Sequence, residues 1–237
     1  MTEKTKQNKK IEIRFYESSD RDGVRAVCCA TGYLGKSIDT VFEDREVFAD
    51  FLTSYYTDVE PDLTVVVLED GQIKGYVMGS RFPSLQKAYE MQLYLRLFPK
   101  VLGNFFFKYK SATRKYLRWM LWNGRKETPL TPKDMAHVHF NFLAEHRSVS
   151  QTRTMFDMFL QRLSEYGEEK VYGQVVSFEN RRGPRMYARY GFKVVDQVKV
   201  TKYQDLVDHP VYLFTIIKDL KENVTLYGND LWKKKGQ

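Results

Sequence analysis

Residues 136–153, AHVHFNFLAEHRSVSQTR, hold the transition on which the fold turns. From Ala136 to Leu143 the side chains alternate with the two-residue period of a strand. Val138, Phe140 and Phe142 fall on one face, and His137, His139 and Asn141 on the other. A polar stripe on a central strand needs hydrogen-bond partners or water, as it would find beside a cleft. After Leu143 the chain turns through Ser148, Ser150 and Thr152. A helix is predicted from about Ser150 to Tyr166, with Met155, Phe156, Phe159, Leu160 and Leu163 along one side.

Upstream, Leu63–Leu68 and Ile73–Gly79 are apolar, β-branched runs joined by Glu69-Asp70-Gly71, the signature of a hairpin. Before them, a strand is predicted at Ile11–Tyr16, cap candidates at Ser18–Asp20, and a helix from Arg21 to Thr31 ending at Gly32. Gly35 to Asp62 shows no definite element, although Val47, Phe48, Phe51, Leu52 and Tyr55 have helical spacing. Downstream, strands are predicted at Val171–Ser177, Phe192–Val200 and Val211–Ile217, with a short helix around Pro184–Tyr190. Between the hairpin and Ala136 the pattern is helical from Leu85, interrupted near Pro99 and Gly103. A second helix follows from Phe105 to Trp122, striped by Phe105, Tyr109, Ala112, Tyr116 and Trp119. The order is ββ, helical insert, βαβαββ, an α/β sheet of mixed strand direction.

The chain has 237 residues, 43% of them hydrophobic, enough for one well-packed domain. One domain over 11–237 is expected, after a disordered polar start at 1–10. Cys28 and Cys29 are adjacent and build neither a disulfide framework nor a zinc site. With no signal peptide and no long apolar run, the expected location is cytoplasmic. The net charge of +8 is unevenly spread. Residues 85–126 hold ten basic side chains and one acid, Glu90, a net +9, so the remaining 195 residues sum to −1.

Three stretches together resemble the GNAT superfamily of acetyl-CoA-dependent N-acyltransferases. The most specific is Asn180–Phe192, NRRGPRMYARYGF, where Asn180, Tyr187, Gly191 and Phe192 keep that family's spacing between two strands. The second is the turn Leu143–Arg153, where the family carries Arg/Gln-x-x-Gly-x-Gly/Ala and this chain has Arg147-Ser148-Val149-Ser150-Gln151-Thr152. Ser150 and Thr152 thus occupy the two glycine positions, and a Cβ there restricts close approach and positive φ. The third comprises Cys29, Thr31, Gly32 and Gly35 with Tyr55-Tyr56, similar to the acceptor-side segment of several members. The resemblance implies a GNAT-like mixed, largely antiparallel twisted sheet flanked by helices, with a helical insertion.

It also implies acetyl-CoA as co-substrate and direct transfer of an acetyl (acyl) group to an amine. The cofactor-binding set is then Leu143, Glu145, Arg147, Ser148, Val149, Ser150, Gln151, Thr152, Asn180 and Tyr187. Free amides and the positive end of a helix dipole suit a diphosphate, although Ser148–Thr152 read equally as ordinary helix caps. Tyr187 matches the family's proton donor to the leaving thiolate, and its bland alternative is a packed tyrosine. His139 is the first candidate for a base near neutral pH, with His137 behind it and Glu145 as a rival. Singly, such a histidine is more often a satisfied structural residue. No metal is expected, because His137 and His139 lack a nearby third ligand, and no covalent role is expected for Cys28 or Cys29. Asp39, Glu43 and Asp44 could hold a cationic acceptor or form a solvated loop.

The insert at 85–126 interleaves its ten basic residues with ten aromatics. It reads as a helical hairpin packed on the sheet, as a surface for an anionic membrane or partner, or as a lid over the acceptor. Nucleic acid is not expected, for want of a recognised motif. Candidate partners are a small-molecule or protein amine, the membrane surface, and a second copy in a homodimer. The alternative function is a non-catalytic acyl-CoA-binding or tethered protein on a degenerate GNAT fold.

Overall fold

The computed structural model describes residues 10–178, 187, 188 and 190–221. A seven-stranded sheet is built from β1 (Ile11–Phe15), β2 (Val65–Glu69), β3 (Gln72–Ser80), β4 (Ala136–Phe142), β5 (Lys170–Phe178), β6 (Lys193–Val200) and β7 (Val211–Asp219), in the order β1-β2-β3-β4-β5-β7-β6. Every neighbouring pair is antiparallel except β4–β5. The five main helices are α1 (Arg21–Thr31), α2 (Arg45–Ser54), α3 (Pro83–Phe107), α4 (Ser111–Asn123) and α5 (Val149–Glu165). The architecture is the mixed, largely antiparallel open sheet flanked by helices that the sequence implied.

Local chemistry accounts for most of these elements. Asp70 (φ 50°) and Gly71 (φ 78°) both adopt positive φ, the two-residue turn whose twist matches the flanking strands β2 and β3. Asp44 accepts a hydrogen bond from the Val47 amide at 3.2 Å and so caps α2, within the stretch Gly35–Asp62 that shows no definite element by pattern. A single π turn, Tyr55–Val59, follows α2 and sets Tyr55 and Tyr56 against the sheet.

Strand periodicity divides the core in two. Val65, Val67, Val77, Ala136, Val138 and Phe142 pack with Met155, Phe159 and Leu163 of α5 on one face. Val66, Leu68, Tyr76 and Met78 pack with α1 and α2 on the other. Both faces of β2 are therefore buried, which is why it reads as an unbroken apolar run.

The insert departs from its expected form. α3 runs unbroken for 25 residues through Pro99 and takes in Phe105–Phe107, so the break falls at Lys108–Lys110 and not near Pro99 and Gly103. Proline removes one donor, yet a long helix packed along part of its length tolerates the loss at an exposed position. The stripe shifts accordingly: Tyr109, Tyr116 and Trp119 pack into the core beside Phe42 and Tyr33, whereas Ala112 is exposed.

The three acids that read as an acceptor wall or a solvated loop are engaged within the protein. Asp39 pairs with Arg45 at 2.9 Å, Asp44 with Lys100 at 2.9 Å, and Glu43 accepts from the Lys110 amide at 2.7 Å. At its other end α4 is tied across the sheet, where the Trp119 indole donates to Thr201 at 2.8 Å. The insert thus covers the face of the sheet that carries His137 and His139.

Candidate active site

The site begins where β4 and β5 part. Their parallel pairing runs from Ala136↔Val171 to Val138↔Gly173 and stops, while β4 stays paired with β3 as far as Phe142 and β5 stays paired with β7 over its whole length. Both strands are held by their outer neighbours, so the sheet forks at its centre. The main chain of β4 beyond Val138 consequently faces a gap on its β5 side.

On the α5 side of the fork stands a helix start. Ser148 precedes α5 without capping it; its hydroxyl contacts that of Ser150 at 3.0 Å instead. The amides of Val149, Ser150 and Gln151 lie in the first turn, where an α-helix offers no internal acceptor. Val149 and Ser150 are exposed. Ser150 and Thr152 are helical, and neither is among the residues of positive φ, so the expected conformational penalty for replacing glycine does not arise. Gln151 Oε1 is buried with no hydrogen-bond partner among the described residues.

The other predicted residues of the turn are distributed differently. The Leu143 amide donates to the Lys74 carbonyl at 3.0 Å and its carbonyl accepts from His146 at 2.9 Å, so both main-chain groups are engaged within the protein. Glu145 is exposed, away from the histidines' half-buried face. Arg147 extends over the Gly35 backbone, where an added Cβ would lie 2.5 Å from its Nη2. Asn180 lies outside the described residues.

Tyr187 packs against the α5-side core. Its hydroxyl has no hydrogen-bond partner among the described residues, and burial pushes its pKa up to about 12. The spacing from Tyr187 to Gly191 and Phe192 has a structural reason. The amides of Tyr190 and Phe192 both donate to the Tyr187 carbonyl, closing the turn, and Gly191 takes φ 77°. Lys218 Nζ lies where a Cβ on Gly191 would come within 2.5 Å and donates to the Tyr190 carbonyl at 3.0 Å, so only glycine fits.

The polar stripe of β4 faces the opposite side. Met78 sits opposite His139 and Tyr76 opposite Asn141, which fixes all four on the α1 and α2 face. Tyr56 reaches His137 Nδ1 at 3.0 Å, and Tyr172 packs on the same ring at a centroid distance of 4.9 Å. The Asn141 amide donates to the Tyr76 hydroxyl at 2.8 Å and lies 3.4 Å from His139 Nε2. From the insert, Gln86 donates to the Tyr56 hydroxyl at 2.9 Å and to Glu90 at 2.8 Å.

A carboxylate only accepts, so the Gln86 NH2 faces Glu90 and gives its second hydrogen to the Tyr56 oxygen. That leaves the Tyr56 hydroxyl hydrogen free for His137 Nδ1, an arrangement that would put the His137 proton on Nε2. The resemblance of the acceptor-side segment pointed to Tyr56 but nothing in the sequence to Tyr76, Tyr172, Gln86 or Glu90, since each joins the cluster only through a contact between distant segments.

Burial lowers the pKa of His137 to about 3, with a further push from His139, and that of His139 to about 4. Neither ring titrates near neutral pH, contrary to the expectation for a base at position 139; solvent is too scarce to stabilise the imidazolium. Unfolded, both rings bind protons near pH 6.5; folded, they refuse them until about pH 4 and pH 3. Stability should therefore fall as pH drops below 6.5, while above it the histidines contribute no slope. Urea midpoints at pH 7.5 and 5 should differ less in His139→Asn than in the parent, and an unchanged difference would contradict this.

Burial pushes the Cys28 thiol up to about 12 and also raises Cys29, which disfavours the reactive thiolate at both. Among the described residues no group of three or more His, Cys, Asp or Glu is arranged to hold a metal ion. A cavity of about 600 Å³ lined by Arg81, Phe82, Leu85, Met135 and Glu168 opens at the other end of β4, away from the fork.

Solved structures share this architecture. The chain superposes on the crystal structure of SsHAT with a TM-score of 0.56 at 21% identity, over 90% of this chain and 99% of that one. On an N-acetyltransferase from Staphylococcus aureus Mu50 the score is 0.52 at 11% identity, over 90% and 99% of the two chains. On the Drosophila melanogaster polyamine N acetyltransferase, which catalyses the formation of N acetylagmatine, it is 0.52 at 14% identity, over 89% and 100%. The chain has the GNAT fold. At these identities the likeness is one of fold alone. No protein-family model and no curated protein matches the sequence.

Proposed function

We propose that this protein is an N-acetyltransferase that takes an acetyl group from acetyl-CoA and transfers it directly to an amine. One observation carries the reading: the sheet forks between β4 and β5 with an uncapped helix start on one side and two neutral histidines on the other. When bound, acetyl-CoA supplies an activated acyl thioester. The residues fit it. The first-turn amides of Val149, Ser150 and Gln151 suit its diphosphate, Ser148 and Ser150 add hydroxyl donors, and Gln151 Oε1 offers a buried acceptor to an amide N–H.

The chain's own groups then divide the proton chemistry. Tyr187 holds a proton on its hydroxyl at every physiological pH and delivers it to the leaving sulfur. His137, with its proton on Nε2, acts as a hydrogen-bond donor and not as a base. His139, whose Nε2 lies 3.4 Å from both the Tyr76 hydroxyl and the Asn141 amide, is about six pKa units too weak to deprotonate a free alkylammonium of pKa ~10. It accepts the proton, directly or through water, only as the new C–N bond consumes the nitrogen lone pair and makes that proton acidic. The amine must therefore arrive already neutral, which predicts activity rising with pH toward the acceptor's own pKa.

The test is Ser150→Glu. A carboxylate in the first turn favours the helix itself but opposes a diphosphate, so acetyl-CoA affinity by calorimetry should drop at least about tenfold while thermal stability holds or rises. Undiminished affinity would remove the α5 start from the site. Binding of acetyl-CoA and desulfo-CoA without turnover of any amine would favour the non-catalytic alternative.

A further inference from the structure

α3 is apolar on two opposite faces. Leu93, Leu97 and Val101 turn inward against the core. Met91, Leu95, Phe98, Leu102 and Phe106 recur at steps of three and four on the outer side, all exposed, and extend over roughly 22 Å at the α-helical rise. Phe107 at the end of α3 and, on α4, Leu121 and Trp122 are also exposed, at 87%, 73% and 69%. Scattered exposed leucines are ordinary, but a continuous stripe of this length marks an interaction surface.

The charge around it selects the partner. Lys87, Lys108, Arg118, Arg125 and Lys126 are exposed and have no carboxylate partner among the described residues. The segment's single acid, Glu90, is engaged by Gln86. A second copy docked across a two-fold axis would set this cationic surface against itself. No helix among the described residues is long and apolar enough to cross a membrane.

We propose that the outer face of α3, together with the exposed end of α4, docks on an anionic membrane surface, its aromatic and aliphatic side chains entering the headgroup boundary and its Lys and Arg side chains meeting lipid phosphates and carboxylates. The arrangement leaves the β4–β5 fork free and does not depend on the acetyltransferase reading. It joins an apolar stripe to a flanking set of cations, and a bilayer interface satisfies both at once.

The experiment is co-sedimentation of the full chain with phosphatidylcholine vesicles, with and without about one-third phosphatidylserine. Binding is expected only to the anionic vesicles, and it should fade between about 0.1 M and 1 M salt as the Debye length shrinks from about 10 to 3 Å. Replacing Leu95, Phe98 and Phe106 by Gln should abolish it, with far-UV dichroism unchanged because all three are exposed. Arg118→Gln and Lys126→Gln should each weaken it about fivefold. Equal binding to neutral vesicles, or none to either, would overturn the proposal. So would self-association in sedimentation velocity that the triple Gln variant removes, which would assign the stripe to a second copy. Saturable binding to poly-glutamate without lipid binding would assign it to an acidic protein.

Discussion

Replacing Tyr187 by Phe should lower kcat for acetyl transfer by about 10²–10⁴-fold, the range typical of a lost general acid, with acetyl-CoA affinity held within a few-fold. The substitution removes one oxygen from a ring that packs against the α5-side core, so the ring's own packing survives. Nothing among the described residues hydrogen-bonds that oxygen, and its loss therefore orphans no partner among them. A purely structural tyrosine would show the opposite pattern, with full turnover and a changed melting temperature. Stopped-flow or coupled thiol-release assays across pH separate the two. If kcat survives within a factor of about three, below the smallest general-acid effect, the leaving sulfur takes its proton from elsewhere.

The second large effect concerns stability. Phe159→Ala should cost about 3–5 kcal/mol, the range for truncating a fully buried aromatic. Phe159 is fully buried in α5 and lies against β3, where a Cβ on Gly79 would come within 2.5 Å of its ring. That contact couples the helix whose first turn forms the proposed anion site to the strand that supports β4. The site has little slack to fill a void there, because Met155, Leu163 and Val77 are already fully buried around it. For a chain of this size the loss corresponds to a fall in Tm of roughly 6–20 °C. Calorimetry or urea unfolding measures it directly, and a fall of less than about 1 kcal/mol would mean that the core collapses around the gap.

Both expectations use residues whose places are legible in the amino-acid order. The period of two from Ala136 to Phe142 separates the histidine face from the core face, and the core cluster and strand register agree with that division. Asp70-Gly71 announces its own turn because few residue pairs tolerate two successive positive φ values. The apolar side of α5 is equally plain, since five large residues at helical spacing have only one way to be buried together. Gln86, Glu90, Tyr76 and Tyr172 are not legible as site residues. Nothing local distinguishes a tyrosine that meets a histidine 63 positions away from one that meets solvent.

Neighbours along the chain are enough to set element type, the hairpin, the helix start, the buried faces and the concentration of positive charge in residues 85–126, and all of these can be read from the order of amino acids. The remaining features exist only where separate segments meet. The fork arises because β4 and β5 each obey an outer neighbour, the neutrality of His137 and His139 arises because other segments close over them, and Glu43 and Asp44 became anchors because α3 and the segment leading into α4 fold back onto them. The division is physical. Periodicity and turn chemistry act over a few residues at fixed geometry, whereas desolvation and strand pairing depend on which distant surfaces come together, and that choice belongs to the packed chain as a whole.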